Sequence, residues 1–281
     1  MKNFSLLSIY KRYKWKMSAT FMLLILENIS KFLQPLFLGF AINDLLKNEL
    51  TGLWQFCILY AIGFIFGVIR RFYDTRAYTR IYTEIASKVV NHQNEKNTPI
   101  STISARSTLL KELIDFFEYD VPQGFTSLIG VVGAVVMLGI FNLWIFAGCI
   151  VSIILILIIY SLSQNNIWNL NTNLNDELEY RINIFESKNN HLVFSHFKNI
   201  SKWMVKLSDL ETLNFGLIEI ILFGLAIFGL YISATTPNIA AGTIFSTLTY
   251  ILEFSNGIFM LPILFQQLIR LKEISSRLEK I

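Results

Sequence analysis

The sequence predicts an all-α, polytopic membrane domain of six spans with long helical extensions, and three observations lead there. Hydrophobic residues make up 53% of the chain and charged residues 16%, with a positive mean hydropathy, a balance more apolar than that of a soluble globular domain. The apolar residues gather into runs near the roughly twenty residues that a bilayer-crossing helix needs, among them VVGAVVMLGIFNLWIFAGCIVSIILILIIY and FGLIEIILFGLAIFGLYI. Lys and Arg concentrate in alternate connections between those runs.

Residues 1–16 hold FSLLSIYKRYKWK, whose apolar and aromatic side chains alternate with Lys11, Arg12, Lys14 and Lys16. This composition suits an amphipathic elbow in the headgroup zone; an ordinary positive flank accounts for it equally well. No small-residue cleavage site precedes the first long run, so a removable signal peptide is not expected. Spans are expected near 17–43, 53–72, 119–140, 143–163, 212–234 and 242–268, within a six-helix domain of residues 17–281.

The outward connections are short (NDLLKNELTG, FN and SATTPNIAAG), and the inward ones run to dozens of residues. Apolar residues continue at helical spacing from Arg70 to Val90, from Asn166 to Phe185 and from Phe194 to Leu213, so spans two to five are expected to project beyond the bilayer. Each inward connection is broken once, near NEKNTPIST (Asn97, Pro99) and near ESKNNH (Ser187, Asn190), where Pro and clustered Asn end helices. Basic residues flank span one and fill both inward connections and the C-terminal segment, whereas the opposite side has Lys47 alone. That asymmetry predicts that both termini lie in the cytoplasm; the expected location is a plasma (bacterial inner) membrane. The net charge of +4 is then topogenic, and nucleic acid is not an expected partner.

Taken together, the elbow, TSLIGVVGAVVMLGIFNLWI with its tiny outer loop, and the Gly-led, late-Pro NIAAGTIFSTLTYILEFSNGIFMLPILFQQLIRLKEISSRL resemble the six-helix membrane domain of ABC exporters of the type IV arrangement. The resemblance covers nearly the whole chain. It implies that the two inward breaks, at 94–103 and 186–191, correspond to coupling helices, and that two copies pair as a homodimer around a central cavity. The sequence ends with RLKEISSRLEKI, where that family continues into a nucleotide-binding domain, and no GxxxxGK[ST] phosphate loop occurs in it, so no such domain is expected. The expectation is a membrane domain without its own ATPase and without a cofactor, not an enzyme.

Ionisable side chains at bilayer depth cost roughly 2.5–3.5 kcal/mol on insertion scales and are functional candidates. Span one carries Glu27 and Lys31 one turn apart, in the better order for an ion pair, with Gln34 on the same stripe. Pro35 cannot donate to the Lys31 carbonyl, so a freed polar group and a kink are expected beside the pair. Span six carries Gly242, Ser246, Thr249, Glu253, Asn256 and Gly257 at three- and four-residue steps. Glu219 in span five is a further acid.

These residues can line a substrate or proton pathway, or Glu27 and Lys31 can neutralise each other while Glu253 bonds across a helix interface. Gly63 and Gly67 form a small-xxx-small packing face in span two. Cys57 and Cys149 read as packing residues, and His92, His191 and His196 as solvated loop histidines with no metal-site spacing.

Three functions remain open. One is ATP-independent, proton-coupled transport of a small solute by alternating access, a way of working that the resemblance allows because certain bacterial peptide-uptake proteins keep a similar fold without an ATPase. The second is the membrane subunit of a split ABC transporter served by a separate ATPase chain. The third is a non-transporting scaffold or regulator.

Overall fold

The computed structural model describes residues 11–187 and 189–278, and every regular element among them is helical. The helices are α1 (Lys14–Leu45), α2 (Thr51–Glu95), α3 (Ile100–Asp115), α4 (Val121–Phe141), α5 (Leu143–Glu179), α6 (Arg181–Glu186), α7 (Asn190–Thr235) and α8 (Ala241–Leu278). Among the described residues, six segments are long and apolar enough to cross a membrane: Lys14–Leu45, Thr51–Glu95, Arg106–Phe141, Leu143–Glu186, Asn190–Thr235 and Ala241–Ile263. At 1.5 Å per residue, the 45-residue α2 and 46-residue α7 are each about 70 Å long, more than twice the roughly 30 Å of a bilayer's hydrocarbon. The six-span, long-helix architecture read from the sequence is therefore the one observed. Lys14–Lys16, assigned above to the elbow, already belong to α1, while residues 1–10 lie outside the described residues.

A π-helical turn, Phe116–Asp120, joins α3 to α4 just before Pro122. Pro122 has no amide to bond the carbonyl of Glu118, and its ring crowds that carbonyl, which accounts for a widened turn here. The connection between α1 and α2 is tight: Asn48 adopts φ 63°, and the Asp44 carboxylate accepts from the Gly52 amide at 2.8 Å. Gly52 is required there, because a Cβ would lie 2.8 Å from the Phe40 carbonyl.

The chain divides into two compact units, Met1–Phe141 with Ser233–Ile281, and Asn142–Ile232. In the first, α1 packs along α2 and also against α8, while α4 packs on α8. The α1–α8 crossing is made by glycine. A Cβ on Gly39 would sit 2.6 Å from the Gly242 carbonyl oxygen, and one on Gly242 would overlap the Gly39 carbonyl. Asn43 Oδ1 accepts from the Gly242 amide at 2.7 Å, which satisfies one of the orphan donors at the start of α8. Beyond the apolar stretch of α2, Tyr78, Ile81, Ile85 and Val89 are buried with Tyr13 and Met17 of the α1 foot and with Leu110, Leu113 and Ile114 of α3. Their three- and four-residue steps are why this extension stays helical and packed without lipid.

The second unit is a long hairpin of α5 and α7, with short α6 between them. Asn142 caps α5 by accepting from the Trp144 amide at 2.8 Å. Ser163 donates to Asn214 Oδ1 at 2.7 Å inside the pair, and Gly148 admits Leu225 and Phe228. Further along, His196 Nδ1 lies 2.8 Å from Glu177 Oε1, and the histidine is 2% exposed. His196 is thus a packed helix residue, and His92 and His191 also lie on helices. The expectation of solvated loop histidines is corrected for His196, which is buried on α7, and for the loop position of His92 and His191, which lie on helices, although His191 is exposed as expected.

Candidate functional site

The site grows from the face of α2 formed by Gly63, Gly67, Arg70 and Asp74, which recur at steps of four, three and four. The two glycines let α1 approach: a Cβ on Gly63 would lie 3.0 Å from Ser30 Cβ, and one on Gly67 would lie 3.2 Å from Glu27 Oε1. One turn further, the same face presents Arg70 to the buried Glu27. Arg70 Nε donates to Glu27 Oε2 at 2.5 Å, and its Nη1 to Asp74 Oδ2 at 2.8 Å. Lys31 Nζ donates to Glu27 Oε1 at 2.7 Å. The side chains of Glu27 and Asp74 are 3% and 4% exposed, whereas that of Lys31 is 51% exposed. Two cations and two carboxylates thus cancel in a chain whose middle is buried and whose Lys31 end is open.

That open end lines a cavity of about 430 Å³ among α1, α2, α4 and α8. Its charged lining residues are Glu27, Lys31, Arg71 and Glu253, joined by the Gln34 amide and by Tyr60 and Tyr250. The volume falls in the ~300–1,000 Å³ range of small-molecule sites. Tyr250 donates to the Phe32 carbonyl at 2.9 Å, and Ser246 lies 2.7 Å from the Pro35 carbonyl, which accepts from its hydroxyl. The sequence pointed to the Lys31 carbonyl as the group freed by Pro35. The cross-helix donors instead meet Phe32 and Pro35, where α8 comes close, and α1 continues as one helix through Pro35.

Of the residues singled out in the sequence, Glu27, Lys31, Gln34 and Glu253 line this cavity. Ser246 is buried against α1, Thr249 bonds the Phe245 carbonyl of its own helix at 2.9 Å, and Asn256 is exposed; none of the three lines the cavity. The polar stripe of α8 is therefore divided. Its small members serve helix approach, with Gly257 held against Val131 and the Ser127 carbonyl of α4, and Glu253 turns to the cavity. Glu219 is exposed on α7, in the second unit.

At the first of the two breaks, Asn97 takes φ 52° and Pro99 precedes the first residue of α3. Gln93 Oε1, beneath them, accepts from Thr98 at 2.9 Å and from the Arg106 guanidinium. At the second break Ser187 donates to the Ile184 carbonyl at 2.6 Å. Asn189, just before Asn190, caps α7 by accepting from the His191 amide at 2.9 Å.

Arg70 entered the sequence reading only as a basic residue opening the extension of span two, Arg71 only among the unnamed basic residues of that connection, and Asp74, Tyr60 and Tyr250 not at all. The signal that could have found Arg70 and Asp74 was the Gly63/Gly67 face: extended by one and two turns, it puts both opposite the acid of span one.

No curated protein sequence matches the chain. Residues 6–242 match the family described as ABC transporter transmembrane region, which takes in α1 to α7 and the first residues of α8. Six apolar helices and that match make this a multi-pass membrane protein, and the chain belongs to the family of ABC transporter transmembrane regions.

Proposed function

We propose that the chain carries a small polar or amphiphilic solute across a bacterial inner membrane by alternating access as a homodimer, with proton movement through Glu253 as its energy source. The family supports membrane transport, and the observation that carries the finer reading is the cavity and the state of its acids. Both oxygens of Glu27 are engaged by cations, so Glu27 acts as a fixed counter-ion. Glu253 is exposed, lines the same cavity and has no ion-pair partner among the described residues, so the coupling is assigned to it. An unpaired carboxylate at bilayer depth is costly, which favours a role in the work of the protein over a role in packing.

The homodimer is supported by the helix extensions. Trp168, Phe194, Met204 and Val205 lie on the extensions of α5 and α7, outside the spans expected at 143–163 and 212–234, and are 75%, 70%, 56% and 55% exposed; a second copy would cover such apolar surface. The distribution of Lys and Arg supports cytoplasmic termini and, with them, a cytoplasmic side for the turns at Asn97–Pro99 and Ser187–Asn190.

A second reading keeps the cavity and moves the energy source to a separate ATPase chain docked on those two turns. The family favours it, since membrane domains of this kind commonly pair with other chains or ATPase subunits. The deciding experiment is reconstitution of the purified chain in liposomes holding a pH dye, with a peptide hydrolysate as solute. The proposal expects solute-dependent collapse of an imposed pH gradient that Glu253→Gln abolishes. Solute movement that occurs only with an added ATPase subunit and ATP overturns it in favour of the second reading.

A further inference from the structure

The cavity wall leaves two charges uncompensated, and their signs differ. Glu27 is matched by Lys31 and Arg70, and Arg70 in turn by Asp74, so that network is neutral. Arg71 of α2 and Glu253 of α8 remain. Both are exposed, both line the cavity, and neither has an ion-pair partner among the described residues. Apolar wall lies with them, from Phe32, Phe64 and Ile129.

A purely anionic solute would leave Glu253 unmatched, a cationic one would leave Arg71 unmatched, and a neutral one would leave both. A solute that brings one charge of each sign is the kind that can pair with both. The guanidinium of Arg71 is a planar fork suited to a carboxylate or phosphate, and Glu253 accepts hydrogen bonds from an ammonium group.

We propose that this cavity binds a zwitterionic amphiphile, its anionic group on Arg71, its ammonium on Glu253, and its apolar part on Phe32, Phe64 and Ile129. This rests on reading the cavity as the solute site. A short apolar peptide and an ethanolamine phospholipid share that chemistry.

The test measures binding by the full purified chain in detergent, using leucyl-leucine in four forms: free, N-acetylated, C-amidated and doubly capped. The free zwitterion is expected to bind at least tenfold more tightly than any capped form. Glu253→Gln removes the advantage of a free amino group, and Arg71→Gln removes that of a free carboxylate. Neither residue makes a side-chain hydrogen bond or ion pair among the described residues, and the capped series on the unaltered protein stands by itself if a variant fails to fold. Displacement of the peptide by short-chain phosphatidylethanolamine at lower concentration assigns the zwitterion to lipid; failure to displace assigns it to peptide.

Equal binding of the four forms, binding of none, or tightest binding of a singly charged form overturns the proposal. Binding is read without any gradient, so its outcome is separate from transport. A chain that prefers the zwitterion and does not dissipate the pH gradient refutes proton coupling alone, and one that transports without this preference refutes the zwitterion alone.

Discussion

Arg70 of α2 reaches across to Glu27 of α1, Nε to Oε2 at 2.5 Å, while its Nη1 holds Asp74 at 2.8 Å. Removing one member of a buried ion pair strands the others, at a cost of about 3–5 kcal/mol. Arg70→Gln is therefore expected to lower the thermal midpoint in detergent sharply, and adding Asp74→Asn to recover part of the loss, since one stranded carboxylate is then removed. Lys31→Gln is expected to cost about 1 kcal/mol or less, because the lysine is half exposed and Glu27 keeps Arg70. A loss for Lys31→Gln as large as that for Arg70→Gln would show that the network is not organised around the arginine.

The glycine crossing of α1 and α8 gives a second expectation. Gly242→Ala drives a methyl group into the Gly39 carbonyl and towards Asn43 Oδ1, so the helices must separate, at a cost of about 1–3 kcal/mol. Gly224→Ala on α7 meets nothing within 4 Å and is expected to be neutral or mildly stabilising, since alanine favours helix by up to ~1 kcal/mol over glycine. Thermal denaturation of the two variants side by side decides it, and equal effects would refute the crossing.

At the foot of α1, the Tyr13 hydroxyl donates to Glu84 Oε2 at 3.0 Å. That bond, helped by Arg80, holds the Glu84 carboxyl below its usual value, while burial and then the same carboxylate push the Tyr13 phenol up. A carboxyl depressed in the folded state contributes stability above its unfolded value and loses it as pH falls through the folded value. Acidification through the carboxylate range is thus expected to lower amide protection factors, each referred to the intrinsic exchange rate at that pH, along the α2 extension around Tyr78–Glu84. Tyr13→Phe should flatten that pH response. An unchanged acid response in the variant would mean that other carboxylates set it.

Much of the fold was legible because the bilayer is a simple solvent. A span needs a run of apolar residues with its backbone bonded internally, and such runs, with Pro99 and the Asn clusters between them, marked the helices and turns. The extensions could be read from apolar spacing that continues past Arg70. The histidines could not, because a polar composition looks the same on a loop and on the packed face of a long helix.

The candidate site was half legible. Glu27 and Lys31 are four residues apart in one helix, so local geometry alone pairs them. The partnership of Glu27 with Arg70 spans forty-three positions and needs α1 and α2 to meet on the Gly63/Gly67 face. Likewise Ser246 and Glu253 are indistinguishable on a helical projection of span six. Only the close approach of α8 to α1 at Gly39 decides that the serine is sealed between helices and the acid faces the cavity.

By itself, then, the sequence determined six apolar helices, their overhangs and breaks, and the local Glu27–Lys31 pair, because hydrophobic length and helical periodicity act within one segment. Tertiary structure decided which charges cancel and which stay open to the cavity. That depends on contacts between helices distant in sequence, set by where glycine lets backbones come together.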